Sequence, residues 1–192
     1  MYDWFTILIQ KNDFSFFTRY KNITVERKVF TDAEKEKIYK SVEGNLTTKT
    51  FGIILALNTG MRIGELCALK WSDFDISMRT IHITKTLQRI NSENHTKLYI
   101  SLPKTKKSIR DIPISDYTLK LLINLKQIIY SNSQAYVLTN KEKPIEPRSF
   151  RRFYKNFLNK NNICYLKFHA LRHTFASLCI EKGGDIKVLS EI

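Results

Sequence analysis

The sequence predicts a single, mainly α-helical domain that carries a small three-stranded antiparallel β-sheet, a fold of the α+β class. Helix start signals and helical periodicity occur before residue 70 and after residue 115, whereas the three alternating β-branched segments of the sheet lie between them. A chain of 192 residues is long enough for one domain with a substantial core.

Three helices are predicted in the first part of the chain, after a segment at residues 1–30 that shows no clean period and is interpreted as a lead-in or remnant linker. Thr31 and Glu34 have the spacing of a capping box, which predicts a helix start at this point. The predicted helices run from Thr31 to about Val42, over about 48–57, and over about 62–69.

The middle of the chain predicts strands, because polar and β-branched apolar residues alternate. The strand segments are residues 79–86, 97–102 and 108–114. A polar loop at 91–96 and a tight basic turn at 103–107 connect them, so we expect one antiparallel sheet with a hairpin tip at the basic turn.

Helical patterns return after an N-cap at Ser115 or Asp116. A short strand is predicted at 136–139, and a helix begins at Pro147 with apolar and basic residues on opposite faces. The last helix is predicted from about His169 to Lys182, where two glycines provide a C-cap signal.

The charge predicts a polyanionic partner. Thirty-two Lys and Arg residues against eighteen Asp and Glu residues give a net charge of +14. A ribosome-like or generically basic protein is the alternative interpretation. Three cysteines without CxxC spacing favour a reducing cytoplasm over a disulfide framework. The apolar runs are too short to span a bilayer and no signal peptide is recognisable, so neither export nor membrane anchoring is expected.

Two groups of cations could contact an anion. His169, Arg172 and His173 fall at i, i+3 and i+4 and share one helical face. A metal site at the two histidines is an alternative, although Arg172 would repel a cation, and a structural histidine with a surface arginine is another. The remaining candidates lie in the basic turn and along the predicted helix from Pro147: Lys104, Lys106, Lys107, Arg110, Arg148, Arg151, Arg152 and Lys155. The basic turn could instead be a solvated loop.

The sequence lacks a Gly-rich phosphate loop, a nucleophile elbow and a carboxylate cluster, which excludes nucleotide hydrolases, serine hydrolases and two-metal nucleases. The cationic combination of Arg62, Lys104, His169 and Arg172 suits a metal-free phosphoryl transfer, in which arginines neutralise phosphate oxygens and Lys or His moves protons.

Three blocks, "NTGMRIGELCALKWSDFD", "LPKTKKSIRDIPIS" and "FHALRHTFASLCIEKGGDIKVLSEI", resemble in order and spacing the signature blocks of the tyrosine recombinases, or phage-type integrases. The resemblance covers residues 31–192 and is closest to integrases of phages and conjugative elements. It implies catalytic roles for Arg62, Lys104, His169 and Arg172. It also implies supporting roles for Glu65, which would orient Arg62 or a neighbouring helix, and for His173.

The family resemblance implies site-specific recombination of duplex DNA through a 3′-phosphotyrosine, by an oligomer on DNA and without metal or nucleotide cofactor. The family's nucleophilic tyrosine is expected beyond Ile192, so no residue of this chain matches it, and residues 31–192 are expected to be a catalytic domain incomplete at its C-terminus. We therefore expect this chain alone to be inactive in cleavage. The alternative function is that of a non-catalytic DNA-binding or regulatory remnant of a recombinase.

Overall fold

A computed structural model of the chain describes residues 29–92, 95–101, 109–130 and 132–182. The helices are α1 (Asp32–Gly44), α2 (Thr48–Thr59), α3 (Ile63–Ala68), α4 (Asp116–Ile129), α5 (Pro147–Lys160) and α6 (His169–Glu181). The strands are β1 (Phe74–Asp75), β2 (Thr80–Ile83), β3 (Thr86–Ser92), β4 (His95–Ser101) and β5 (Arg110–Pro113). The predicted class, mainly helical with a small antiparallel sheet, is confirmed.

The helix starts lie where the local sequence signals predict them. At α1 the Thr31 hydroxyl accepts from the Glu34 N–H (3.4 Å), and the Glu34 carboxylate accepts from the Thr31 N–H (3.0 Å), which completes the capping box. Ser115 caps α4 and Pro147 opens α5. The predicted C-cap glycines after α6 lie outside the described residues, as do residues 1–28 of the predicted lead-in.

Helix α2 is the centre of the fold. It is apolar on all sides, and Phe51, Ile54 and Leu57 are fully buried. It packs against α1, α3, α4, α5 and α6. The second turn of α6 is also hydrogen-bonded to the start of the described chain, because the Phe30 N–H donates to the Thr174 hydroxyl (3.0 Å). Within the described residues, no helix has the length and apolar character required to cross a bilayer.

The strand pairing differs from the prediction of a single sheet over residues 79–86, 97–102 and 108–114. The three-stranded sheet has the order β1–β2–β5, with Ile81 opposite Ile112, and β3 and β4 form a separate two-stranded hairpin. The predicted strand at 79–86 is interrupted at 84–85 because β2 keeps its buried alternation only as far as Ile83. Each part then pairs with a different partner.

Two further predictions are wrong. The basic turn at 103–107 does not join two paired strands, because β4 pairs with β3 whereas β5 pairs with β2. The segment 102–108 itself, with Lys104, Lys106 and Lys107, lies outside the described residues. Residues 136–139 form no strand: Tyr136 makes isolated bridges to Lys70 and Lys141, and turns follow it.

Candidate active site

The site begins at the turn between α2 and α3. Gly60 ends α2 in the left-handed conformation with φ +64°, which glycine adopts without the steric cost of a side chain. A Cβ atom at this position would lie 2.5 Å from Cδ1 of Phe175 on α6. The Gly60 carbonyl accepts a hydrogen bond from the Arg172 guanidinium (2.6 Å). The turn and α6 are therefore packed and hydrogen-bonded together.

Arg62 follows this turn and immediately precedes α3. Its backbone N–H donates to Glu65 Oε2 (2.8 Å), and its Nη1 donates to Glu65 Oε1 (3.2 Å). The Glu65 side chain is only 5% exposed, whereas that of Arg62 is 51% exposed. Glu65 thus fixes the backbone of Arg62 and one nitrogen of its guanidinium.

Arg110 is the second partner of Glu65. It lies in β5, within the predicted strand at 108–114, but its side chain is only 11% exposed, although the sequence groups it with the candidate anion-binding cations of the basic turn. Its Nη1 and Nη2 donate to the two carboxylate oxygens of Glu65 at 3.1 and 2.9 Å. This bidentate ion pair links β5 to α3 across 45 sequence positions.

The predicted residues Arg62, His169 and Arg172 line one cavity of about 470 Å³, together with Arg151 and Lys167. Arg62 comes from the turn before α3, Arg151 from α5, and His169 and Arg172 from the first turn of α6. His173 is exposed, and its ring lies edge-on to that of His169 with centroids 4.5 Å apart. Side chains distant in sequence therefore surround one basic cavity.

The electrostatics of the cavity disfavour additional positive charge. Partial burial, followed by repulsion from His173, Arg172 and Arg62, lowers the pKa of His169 below its usual value. Burial and then repulsion from Arg62 also lower the pKa of the Arg172 guanidinium. Arginine stays protonated in proteins, so the repulsion between Arg62 and Arg172 is relieved when an anion lies between them.

His169 is expected to titrate below the usual histidine pKa of about 6.5, and its pKa should rise when duplex DNA is added, because phosphate offsets the surrounding positive charge. As the pH falls below about 6.5, the unfolded chain takes up this proton first, so this residue's contribution to stability is lost on acidification. Histidine ring protons followed by NMR across a pH series, with and without DNA, measure the pKa and its shift.

His82 provides an internal control for that titration. Its ring pairs with Asp111 on the exposed sheet, and the hydrogen bond to Asp111 raises its pKa. It should titrate above the usual range and should not respond to DNA. If His169 titrated at or above the usual value in the free protein, the electrostatic description of the cavity would be wrong.

A second cavity, of about 780 Å³, adjoins the first, because Arg62 and Arg151 line both. Its walls come from α3, β3 and the start of α5, including Arg148 and the ion pair of Arg89 with Glu146 (2.6 Å). The predicted basic face of α5 is exposed at Arg148, Arg151, Arg152 and Lys155. Of these four, only Arg148 and Arg151 line the two cavities.

Sequence reasoning missed three features of the site. It did not foresee the burial of Arg110 against Glu65, it did not separate Arg151 from its neighbours on α5, and it did not single out Lys167. Lys167 precedes α6 in an irregular segment that carries no periodic signal. The ends of the segment that contains Lys104 do lie beside the site: Ser101 pairs with Thr86, which packs on Gly64, and Arg110 is bound to Glu65.

The arrangement is suited to binding a phosphodiester. Guanidinium groups approach the cavity from separate elements, and a neutral imidazole beside them can accept or transfer a proton. Across the described residues, no group of three or more His, Cys, Asp or Glu side chains is placed to hold a metal ion.

Comparison with known proteins identifies the family. The model of the phage integrase family matches residues 28–192. The chain belongs to this family. The chain is similar in sequence to a tyrosine recombinase XerC-like protein of Caldanaerobacter subterraneus subsp. tengcongensis, with 31% identity over 190 residues. It is also 28% identical to the ICEBs1 integrase of Bacillus subtilis over 180 residues.

These alignments cover most of the chain but only part of the relatives. The alignment with the XerC-like protein includes 90% of this chain, and that with the ICEBs1 integrase includes 88%. Each alignment covers 48% of the relative. The chain therefore spans about half the length of the curated relatives it matches. The transposase from transposon Tn916 of Enterococcus faecalis is 27% identical, with 96% of this chain and 49% of that protein aligned.

Solved structures show the same fold. The Tn1549 transposon integrase in complex with circular intermediate DNA superposes with a TM-score of 0.71 at 25% identity, over 97% of this chain and 66% of that one. The XerA recombinase gives a TM-score of 0.66 at 20% identity, with coverages of 90% and 56%. A lambda integrase tetramer bound to a Holliday junction gives 0.57 at 22% identity, with coverages of 88% and 47%.

Proposed function

We propose that this chain supplies the phosphate-binding centre of a tyrosine recombinase, which cuts and rejoins duplex DNA at specific sites. The observation that carries the proposal is the shared cavity of Arg62, His169 and Arg172, whose members come from segments more than 100 residues apart. We assign residues 31–192 to the catalytic domain and residues 1–30 to a preceding linker. Glu65 and His173 have supporting roles.

The proposed reaction proceeds by direct phosphoryl transfer. The oxygen of a tyrosine attacks the phosphorus of the scissile phosphodiester and loses its proton to the neutral imidazole of His169. A 3′-phosphotyrosine bond forms, and the bond to the 5′ oxygen breaks. Arg62 and Arg172 stabilise the negative charge on the phosphate oxygens, and Lys104 donates a proton to the leaving 5′ oxygen. Rejoining reverses these steps, so no nucleotide or metal enters the proposal. We assign the attacking tyrosine to none of the residues of this chain.

The proposed substrate is duplex DNA at the attachment sites of a mobile element, bound by an oligomer of the recombinase in the cytoplasm. The relatives support this: one solved integrase is bound to transposon DNA, and another is a tetramer on a Holliday junction. The exposed cations of α5, and those of the basic turn at Lys104, Lys106 and Lys107, would contact phosphates that flank the scissile one.

Duplex DNA binding by the 192-residue chain should weaken steeply with salt. If several cations contact phosphates, the logarithm of the affinity falls against the logarithm of salt concentration with a slope of about 0.9 per contact. Fluorescence anisotropy with a labelled duplex at four or more salt concentrations measures the slope. Arg62→Ala should reduce the slope by about one contact because it removes one phosphate partner.

The matched control is Lys120→Ala, which removes one positive charge from the exposed side of α4, outside both cavities. Its slope should remain near that of the wild-type chain. Equal effects of the two substitutions would reduce the proposal to general attraction between a basic protein and DNA. Affinity that does not depend on salt would refute the proposed phosphate-binding centre.

A second function, DNA binding without strand cleavage, fits the same cationic cavity. Binding needs only the phosphate contacts, whereas cleavage also needs the attacking tyrosine. A suicide substrate with a nicked attachment site separates the two functions. A protein extended through the family's tyrosine position should form a covalent adduct on a denaturing gel if it is a recombinase. Binding without an adduct would favour the non-catalytic module.

A further inference from the structure

The Glu65 carboxylate is shared unequally by two arginines. Arg110 binds it with both terminal nitrogens, at 3.1 and 2.9 Å. Arg62 reaches it with one side-chain nitrogen at the longer distance of 3.2 Å. Because Arg110 is 11% exposed and Arg62 is 51% exposed, the buried member of the pair holds the carboxylate and the exposed member extends into the cavities.

The charges follow the same division. Arg110 and Glu65 together are neutral, so the Glu65 carboxylate does not depend on the charge of Arg62 for its compensation. A buried carboxylate needs a compensating cation, since desolvation of an unpaired charge is costly. If Arg110 did not supply that cation, Arg62 would be the nearest guanidinium, and a bidentate pair with Glu65 would compete directly with phosphate for its donors.

We propose that Arg110 is a positioning residue, which neutralises Glu65 and thereby keeps the Arg62 guanidinium available for the DNA phosphate. This inference rests on the proposed function, because it concerns how that phosphate-binding centre is set. Arg110 acts through Glu65 and Arg62 and does not itself touch the phosphate.

The ionisation of Glu65 agrees with this role. Burial alone would raise the pKa of the carboxyl group. The hydrogen bond from Arg110, the backbone N–H of Arg62, and the charges of both arginines oppose it, so that the pKa lies below its usual value. Glu65 is therefore an anion at neutral pH and requires a compensating cation.

The test is a double-mutant cycle on DNA binding by the 192-residue chain. Arg110→Met should weaken binding about 10-fold and reduce the salt slope by about one phosphate contact, because Arg62 turns toward Glu65. Arg62→Ala provides the reference for full loss of that contact. Adding Glu65→Gln to Arg110→Met should restore the slope and bring affinity to within about 3-fold of wild type, since the neutral amide no longer attracts the Arg62 guanidinium.

Two controls address charge and folding. Arg79→Met removes the same charge from an exposed pair with Asp116 and should change affinity less than about 3-fold. Arg110→Lys keeps a cation beside Glu65 and should bind DNA nearly as well as the wild-type chain. Thermal melting identifies variants that do not fold, and in that case Arg110→Lys carries the test.

The possible outcomes separate this inference from the proposed function. If Arg62→Ala reduces the slope but folded Arg110→Met binds as wild type, the positioning role is overturned and the phosphate site stands. A loss in Arg110→Met that Glu65→Gln does not rescue, or a folded Arg110→Lys that binds as weakly as Arg62→Ala, also overturns it. If wild-type binding lacks salt dependence, the proposed function itself fails.

Discussion

Replacing Arg172 with alanine is expected to weaken duplex DNA binding by about 10- to 100-fold. A hydrogen bond from a charged donor contributes about 1.5–3 kcal/mol, and the guanidinium also holds the turn that carries Arg62 through the Gly60 carbonyl (2.6 Å). One substitution therefore removes a phosphate partner and loosens the support of another. Anisotropy titrations at a single low salt concentration measure the change.

Arg79→Ala is the matched control for Arg172→Ala, since it removes the same side chain from an exposed surface pair. It should change affinity only slightly, because exposed ion pairs contribute about 0–1 kcal/mol. The affinity of Arg172→Lys for duplex DNA should lie between those of the two variants, because an ammonium keeps the charge but does not reproduce the planar fork of donors. Wild-type affinity in Arg172→Ala would remove this residue from the phosphate site.

Gly60→Ala is expected to lower the free energy of unfolding by about 2–4 kcal/mol. The left-handed backbone at φ +64° costs a non-glycine residue about 1–2 kcal/mol. Its Cβ would also lie 2.5 Å from Phe175, and such overpacking costs about 1–3 kcal/mol. For a domain of this size, thermal unfolding should shift down by about 5–15 °C.

Gly44→Ala is the matched control for Gly60→Ala in thermal unfolding. Gly44 ends α1 without a left-handed backbone, and a Cβ there would meet nothing within 4 Å. This substitution should leave stability unchanged or raise it by about 0.4–1 kcal/mol, because it restricts the unfolded chain. Equal melting temperatures for the two variants would contradict the close packing of the Gly60 turn against α6.

The helices could be predicted from the sequence because their signals are local. The Thr31 and Glu34 capping box, Ser115 and Pro147 each mark a helix start within a few neighbouring residues. The sheet could not be predicted in the same way. Its β2–β5 ladder and the β3–β4 hairpin depend on which strands meet in space, and alternation alone does not specify partners.

The same distinction applies to the site. Arg62 and Arg172 could be identified from motifs, and the structure brings them to one cavity. The burial of Arg110 against Glu65 could not be foreseen, because a basic residue after a lysine-rich turn looks exposed when only its neighbours are considered. Its environment is set by α3, 45 positions earlier in the chain.

The contact between Arg172 and Gly60 has a consequence for the order of folding. It joins residues 112 positions apart, and the bond from Phe30 to Thr174 spans 144. Closing loops of this length costs chain entropy before any stabilising contact is made, so such contacts form late. A chain still emerging from the ribosome already attracts polyanions through its charge but has not assembled the cavity. We therefore expect general attraction to polyanions to precede any binding that requires the assembled cavity.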